Sequence, residues 1–311
     1  MLLKELSYYK TGGTCHSLIQ PQSVQELADA MGQIDKNQTR YFLLGAGSNS
    51  LIMDAHWPGA VINFSKMNQV RIYQAKVIAE AGIDNSTFAT ACYDASLAGA
   101  GWMYYMPGQL GATVRMNARC YGGEISQIVD SVTVVTNKGV IKNYSGKEVF
   151  LGYKSTLFMS KAEIVASVEF NLTKGDRAQI RQQMDSCRTD REDKHQFLYP
   201  SCGCVFKNNY DVAIPSGLLL EHADVRRFST EQVEVSPYHA NFVFNKGATA
   251  MQILEVTLQM REAVYQKYGV WLDYEMEVLG VIPDDLQKRL QEKRSQDFKQ
   301  TDLALLRTTG I

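Results

Sequence analysis

A thiol, an ammonium group and a side-chain amide lie close together in residues 199–208, which read Tyr-Pro-Ser-Cys-Gly-Cys-Val-Phe-Lys-Asn. The thiol of Cys204 could donate a proton, while Lys207 and Asn208 suit an anionic substrate. The alternate spacing of Cys204 and Phe206 predicts a short strand, which holds side chains more firmly than a loop does. A hairpin edge whose cysteine packs as a small hydrophobe is the alternative for an isolated Cys-x-Cys pair.

Two glycine-rich turns in the first half of the chain could bind phosphate groups. Residues 45–49 read Gly-Ala-Gly-Ser-Asn, in which glycines let backbone N–H groups converge on an anion and the polar side chains add donors. This turn lacks the third glycine and the later acidic residue of a dinucleotide-binding βαβ unit, so a simple tight turn is the alternative. The second turn, residues 106–113, leads to Asn117.

The elements around these turns are predicted from apolar spacing and capping residues. We expect strands at 60–64, 77–81 and 132–135, the last followed by an Asn-Lys-Gly turn at 137–139. We expect helices at 23–31, which begins with a serine cap, at 176–194, and at 248–268, which ends at Gly269. The charged stretch 283–307 predicts an exposed helical tail. The sequence therefore indicates a mixed α+β fold.

Composition limits the function classes. The chain has 311 residues, 45% of them hydrophobic, which is enough for two or three domains with a substantial core. A formal net charge of −1 disfavours binding to nucleic acid or to an anionic membrane surface. The first residues contain no long apolar run, and the six cysteines have neither disulfide-scaffold nor zinc-ligand spacing. We therefore expect a cytoplasmic protein with reduced thiols and no metal.

A series of motifs recurs in one order along the chain. It comprises residues 9–13, 45–49, 107–111, 117, 121–124, 152–153, 191–194, 200–203, 206–208, 234–239 and 272–280. In this order the series resembles the flavoenzyme family of UDP-N-acetylenolpyruvoylglucosamine reductase, or MurB, in the form that lacks an extra tyrosine loop. The resemblance extends from about residue 8 to residue 280.

The resemblance implies a two-part FAD-binding module of the PCMH or vanillyl-alcohol-oxidase type, followed by an α+β substrate-binding domain. The implied boundaries are 1–65 for the first FAD-binding subdomain, rejoined by about 276–282, 66–193 for the second, 194–275 for the substrate-binding domain and 283–311 for the helical tail. The expected reaction is the NADPH-dependent reduction of UDP-N-acetylenolpyruvoylglucosamine in peptidoglycan precursor synthesis, and hence in cell wall formation, cell shape and cell division. The expected state is a monomer.

The resemblance also assigns residues. Noncovalent FAD would be held by ten residues: Gly45, Ala46, Gly47, Ser48, Asn49, Pro107, Gly108, Gly111, Asn117 and Arg191. The UDP-sugar would be bound by Tyr153, Lys194, Asn208 and His239. The expected catalytic residues are Cys204, Glu275 and Lys154. Taken singly, Lys194 and His239 would more often be surface or core residues.

This chain departs from the resembled family at the chemical centre. Cys204 replaces the usual serine proton donor, and a thiol is the stronger acid of the two. Lys154 replaces the usual arginine, which keeps the positive charge but loses the planar fork that grips a carboxylate. Ala112 and Arg119 add bulk where glycine is more common, and Gln196 replaces a proline. A flavin reductase acting on another sugar nucleotide and a catalytically silent flavin- or nucleotide-binding protein are therefore the alternatives.

Overall fold

A computed structural model describes residues 2–309 of the chain. The helices are α1 (Val24–Lys36), α2 (Asn85–Asp94), α3 (Leu110–Arg115), α4 (Gly146–Val149), α5 (Leu157–Ser160), α6 (Arg177–Asp193), α7 (Ser216–His222), α8 (Ala250–Tyr268), α9 (Asp284–Gln291) and α10 (Gln300–Thr309). The strands up to the middle of the chain are β1 (Cys15–Ile19), β2 (Tyr41–Leu44), β3 (Ser50–Ile52), β4 (Trp57–Asn63), β5 (Val70–Tyr73), β6 (Lys76–Glu80), β7 (Leu97–Ala98), β8 (Arg119–Cys120), β9 (Gly123–Glu124) and β10 (Val129–Thr136). The later strands are β11 (Ile141–Ser145), β12 (Phe150–Gly152), β13 (Ser155–Thr156), β14 (Glu163–Asn171), β15 (Thr173–Lys174), β16 (Val233–Val235), β17 (Val243–Asn245) and β18 (Glu277–Leu279).

The chain forms two compact units. Unit 1 contains the described parts of residues 1–15, 47–57 and 194–311, and unit 2 contains residues 16–46 and 58–193. Each has its own hydrophobic core. Within residues 2–309, no helix is both long and apolar enough to cross a membrane. The finer division of residues 1–193 into two FAD-binding subdomains stays a prediction.

Unit 2 is built on an antiparallel sheet in the order β11-β10-β14-β6-β5. Its strand β10, which pairs with β11 and with the central strand β14, buries Val132, Val134 and Val135, and it turns into β11 where Gly139 adopts a left-handed φ of +78°. The predicted strands within 77–81 and 132–135 are confirmed, as is the turn between β10 and β11. A second sheet orders β1-β4-β2, and its parallel strand β2 ends at Leu44, which delivers the chain to the first glycine turn.

The caps of α1 and α8 confirm the predicted helices. The Ser23 hydroxyl accepts a hydrogen bond from the Glu26 amide, which satisfies a free donor at the start of α1. Helix α1 continues to Lys36, beyond its predicted end at residue 31, since Ile34 is still buried. Helix α8 ends where Gly269 takes the left-handed conformation, φ +66°. In unit 1 this helix forms the core together with the pairs β16-β17 and β3-β18.

The C-terminal stretch is helical, but the prediction that it is simply an exposed tail is wrong. Its charged residues form two helices, α9 and α10, rather than one. Leu286, Leu303 and Leu306 are buried in the core of unit 1. Apolar residues are few in this stretch, so charged residues dominate its composition. The burial of these few leucines nevertheless packs both helices against the core of unit 1.

Candidate active site

The Cys204 segment is extended but does not form the predicted strand. Cys204 pairs with Phe242 and Phe206 pairs with Tyr274, each as an isolated antiparallel bridge. Because Cys204 and Phe206 pair with residues from two different segments of the chain, no continuous ladder forms with either segment. The Val205 amide, which lies between them, donates to the Asn241 carbonyl at 2.9 Å. Backbone pairing at Cys204 and at the next two residues therefore holds this segment, and Cys204 is half-buried.

Glu275 lies beside the same segment of unit 1. Its amide donates to the Val205 carbonyl at 2.8 Å, and the Met276 amide reaches that oxygen at 3.2 Å. The other thiol of the Cys-x-Cys pair, Cys202, is buried, and burial is the main cause that raises its pKa, with smaller contributions from Cys204 and Glu275. The structure thus brings Cys204 and Glu275 together and leaves Cys202 as a protonated core thiol.

Two side-chain amides fix the backbones that carry the thiol and the carboxyl group. Buried Asn241 accepts from the Phe206 amide at 2.9 Å and donates to the Phe206 carbonyl at 2.9 Å, as a strand partner would. Asn49 donates to the Glu275 carbonyl at 2.9 Å, and its own carbonyl accepts from the Glu277 amide. Sequence reasoning missed Asn241, since no local pattern marks an asparagine that pairs with a backbone 35 residues away.

Space for a ligand lies next to Cys204. Gly203 has a left-handed φ of +73°, and a methyl group added at its Cα would meet no heavy atom within 4 Å. Gly47 differs, because its φ is +66° and an added Cβ would lie 2.9 Å from the Cα of Ser7. Gly203 therefore borders open space, while Gly47 allows two backbones to approach closely. Ala46 and Ser48, on either side of Gly47, are half-buried.

The predicted sugar-nucleotide residues of unit 1 gather near the start of α7. The Asn208 carboxamide accepts from the Ser216 amide at 2.9 Å, and the His239 ring lies against Gly217, where a Cβ would come within 2.9 Å of Cε1. The His239 Nδ1 accepts from the Asn241 amide at 3.2 Å. Burial lowers the pKa of His239, and the positive charge of exposed Lys194 lowers it further. A neutral imidazole and a lysine thus lie together, a pair suited to an anionic ligand.

In unit 2, Asn117 connects the second glycine turn to the loop that carries Lys154. Its buried side chain donates to the Glu124 carboxylate at 2.7 Å and to the Gly152 carbonyl at 2.8 Å. Asn117 has φ +43°, a conformation that asparagine tolerates better than most residues. Gly152 is followed directly by Tyr153 and Lys154, and the guanidinium of Arg119 lies 5.4 Å from the Tyr153 ring centre. The added bulk of Arg119 thus covers the predicted substrate tyrosine.

Arg191 is buried in unit 2 beside a thiol. Its Nη2 lies 3.5 Å from the Cys120 sulfur, and its guanidinium lies 5.1 Å from the centre of the Tyr121 ring. Burial raises the pKa of Cys120, while the charges of Arg191 and Lys154 oppose that increase. The structure therefore groups the two predicted cationic residues of unit 2, Arg191 and Lys154, around Cys120.

The second glycine turn and Gly45, all in unit 2, lie near buried polar atoms that make no hydrogen bond among the described residues. Gly45 lies close to the second turn, since an added Cβ there would be 3.0 Å from the Gln109 carboxamide oxygen. Within the second turn, Pro107 is half-buried, and the carbonyl of Gly108 accepts a hydrogen bond from the Asn85 backbone amide. Gly111 approaches Ala81 so closely that a Cβ would lie 2.8 Å from the alanine Cβ. Three of the buried side-chain atoms that make no hydrogen bond within the described chain lie at or around the second turn: Asn85 Nδ2, Gln109 Oε1 and Asn117 Oδ1. Unsatisfied buried polar atoms are costly, so these turns fit a polar cofactor that completes them.

Comparison with known proteins agrees with this geometry. Residues 16–145 match the model of an FAD-binding domain, and residues 194–279 match the model of the UDP-N-acetylenolpyruvoylglucosamine reductase C-terminal domain. The fold and its polar glycine turns thus define an FAD-binding protein of mixed α+β architecture.

The relatives extend over most of the chain. The UDP-N-acetylenolpyruvoylglucosamine reductase of Clostridium novyi is 33% identical over 285 residues, covering 90% of this chain and 91% of its own. That of Exiguobacterium sibiricum is 33% identical over 279 residues, covering 89% and 91%. The crystal structure of the Thermus caldophilus reductase superimposes with a TM-score of 0.74 at 26% identity, covering 89% of this chain and 97% of that one. The chain belongs to the UDP-N-acetylenolpyruvoylglucosamine reductase family.

Proposed function

We propose that this chain catalyses the reaction for which its family is named, the NADPH-dependent reduction of UDP-N-acetylenolpyruvoylglucosamine to UDP-N-acetylmuramate, a step of peptidoglycan precursor synthesis. The observation that supports it most directly is that Cys204 and Glu275 lie on adjacent backbones of unit 1, joined by the hydrogen bond from the Glu275 amide to the Val205 carbonyl, with open space beside Gly203. A proton donor and a carboxyl group next to room for a ligand are what reduction of an enolpyruvyl double bond requires.

FAD, when bound, accepts a hydride equivalent from NADPH and supplies it to the substrate double bond. In our proposal it is bound without a covalent link by the residues of both glycine turns together with Asn117 and Arg191. The three unpartnered buried atoms of Asn85, Gln109 and Asn117 support this proposal, since a cofactor with ring nitrogens, carbonyl groups and hydroxyl groups offers both donors and acceptors.

Cys204 donates the proton that completes reduction of the double bond. Charge develops on the substrate carboxylate before that proton arrives, and Glu275, as an acid, and Lys154, as a cation, stabilise it. The bridges at Cys204 and at Phe206 support this role, since a proton donor must be held within hydrogen-bonding reach of the carbon it protonates. Cys202 is not the donor, because burial raises its pKa and it lies in the core.

The nucleotide diphosphate and sugar bind through Lys194, Asn208 and His239, with Tyr153 as a further contact. The lowered pKa of His239 supports this assignment in one respect: a neutral ring can both donate and accept hydrogen bonds at physiological pH. Because the net charge of the chain is −1, the attraction for a diphosphate must come from such local cations. We further propose that the protein is a cytoplasmic monomer, in keeping with its six free cysteines.

Rapid mixing of the purified, yellow protein tests the proposed function by separating two half-reactions. Under anaerobic conditions NADPH should bleach the flavin absorbance, and UDP-N-acetylenolpyruvoylglucosamine should restore it in one turnover. Plain UDP-N-acetylglucosamine, which lacks the double bond, is the control and should leave the flavin reduced. Reduction by NADPH without reoxidation by the enolpyruvyl substrate would overturn the substrate assignment and favour a flavin reductase with another acceptor.

A further inference from the structure

Unit 1 contains a cavity of about 730 Å³ that none of the predicted site residues lines. Its walls come from α8, from the short helical turn Val225–Phe228 that follows α7, from Trp271, and from residues 289–294 at and just after the end of α9. A volume of several hundred Å³ is typical of sites for small organic molecules. The last wall lies beyond residue 279, where the match to the family's C-terminal domain ends.

The cavity has more positive than negative side chains. Arginine or lysine occupies five lining positions, and aspartate or glutamate occupies three. The ion pairs in the described chain account for three of these cations, because Arg294 pairs with Glu262 and Glu292, Arg227 with Asp224, and Arg289 with Glu255 outside the cavity. The remaining two, Arg261 and Lys267, bond to backbone carbonyl oxygens instead of carboxylates.

Arg261 is the more unusual of the two, because only 3% of it is exposed. Its guanidinium donates to the carbonyls of Arg289 and Leu290 and lies over the rings of Trp271, at 4.2 Å, and Tyr274, at 4.8 Å. The Nε–H group makes no hydrogen bond among the described residues. Burial lowers the pKa of Arg261, yet a guanidinium stays charged, so this positive charge lies in a region of low dielectric where the negative charges of Glu292 and Asp273 compensate it only in part.

Apolar side chains line the rest of the cavity, including Phe228, Leu258 and Ala263. Cation–π contacts and carbonyl groups offset part of the cost of the buried charge, and an anion would offset much more, because Coulomb attraction is strong away from water. We propose that this cavity binds a small organic anion, with its carboxylate or phosphate group drawn to Arg261 and Lys267 and its apolar body against Phe228 and Leu258. The proposal does not depend on the reaction assigned above.

Calorimetric titration of the FAD-loaded protein with phenyl phosphate tests this proposal. Phenyl phosphate should bind, whereas benzyl alcohol, which has the ring without the charge, and inorganic phosphate, which has the charge without the ring, should each bind at least about tenfold more weakly. Equal binding of benzyl alcohol would overturn the anion-binding role, and equal binding of inorganic phosphate would overturn the role of the apolar wall.

Variants locate the binding. Lys267→Gln should weaken phenyl phosphate binding about fivefold, as expected for a partly exposed charge, and Arg261→Met about tenfold or more. If Arg261→Met does not fold, Lys267→Gln alone decides, since Lys267 bonds a single backbone carbonyl at the cavity rim. Lys246→Gln, the same change at a lysine of unit 1 that does not line the cavity, is the matched control and should leave this affinity unchanged. Wild-type affinity in Lys267→Gln, or its loss in Lys246→Gln, would place the anion elsewhere and overturn the proposal.

Discussion

The Cys204 segment of unit 1 and the second glycine turn, in unit 2, are held in different ways. The amides of Asn241 and Asn49 are hydrogen-bonded to the backbones that carry Cys204 and Glu275. At and around the second glycine turn, one side-chain amide atom each of Asn85, Gln109 and Asn117 is buried and has no hydrogen-bond partner within the described chain. Contacts within the protein therefore fix the position of the proposed proton donor, whereas in our proposal the buried polar atoms around the turn become hydrogen-bonded when a cofactor binds.

The largest effect is expected for Cys204→Ala. Removal of the positioned acid should slow reoxidation of the flavin by the enolpyruvyl substrate about a hundredfold or more, and leave its reduction by NADPH nearly intact. Stopped-flow absorbance measures both steps. Cys204→Ser is the matched control, because it keeps an O–H donor on the same fixed backbone, and it should retain much of the rate. Equal loss in both half-reactions would make Cys204 a structural residue.

The next largest effect, a loss of FAD affinity, is expected for a change at Asn117, which follows the second glycine turn of unit 2. Asn117→Asp keeps the side-chain shape and tolerates φ +43°, but it loses the donor to Gly152 and places a second carboxylate beside Glu124. FAD affinity should fall about tenfold or more, as expected when buried hydrogen bonds are replaced by repulsion. Fluorescence of released flavin gives the dissociation constant.

The control for Asn117→Asp is Asn143→Asp, which makes the same chemical change on exposed strand β11 and should leave FAD affinity unchanged. Wild-type affinity in Asn117→Asp would show that the turn is rigid without its amide and would remove the contrast between the two units.

Asn241→Asp removes a hydrogen bond that holds the Cys204 segment of unit 1. Aspartate keeps the acceptor for the Phe206 amide but faces the Phe206 carbonyl with a carboxylate instead of a donor. Unfolding free energy should fall by about 1 to 3 kcal/mol. Reoxidation should slow by about tenfold with little change in NADPH-driven reduction, because a displaced donor affects only the protonation step.

Asn209→Asp is the control for this change, since the Asn209 side chain uses only its oxygen as an acceptor, a role that aspartate keeps. A loss of stability in Asn241→Asp with unchanged reoxidation would show that Asn241 supports the fold without positioning Cys204.

Local signals predicted much of this molecule. The caps at Ser23 and Gly269, the hairpin turn at Gly139 and the two glycine turns follow from the conformational demands of single residues. Asn241 and the buried Leu286 were beyond such reasoning, because their roles depend on contacts with residues distant in the sequence. For the same reason the Cys204 segment resembles a strand in sequence but makes two single bridges, since its pairing partners come from separate parts of the chain.

A smaller effect on flavin reoxidation is expected for Lys154→Arg. Lys154 has φ +49°, and arginine should adopt this conformation no less readily than lysine, so the change tests the head group alone. If the family reaction proceeds with a weakened carboxylate clamp, the planar fork should speed reoxidation about fivefold. Lys161→Arg, on the exposed surface of the same unit, is the control. Abolished turnover would instead show a site rebuilt around lysine for another acceptor.

The smallest effect is a pH dependence that arises in unit 1. Burial and then the charge of Lys194 lower the pKa of His239, with Glu221 opposing. Below the unfolded-state value of about 6.5 the unfolded chain takes up a proton that the folded chain still excludes, so His239 destabilises the fold as pH falls towards its folded-state pKa. Well above the unfolded-state pKa, His239 is neutral in both the folded and the unfolded chain, and its effect on stability vanishes. His239→Gln should therefore flatten the fall of the urea midpoint between about pH 7 and 5, whereas His222→Gln, which removes an exposed imidazole from the same unit, serves as control. An identical pH profile in the two variants would mean that the His239 ring gains a proton as readily in the folded chain as in the unfolded one.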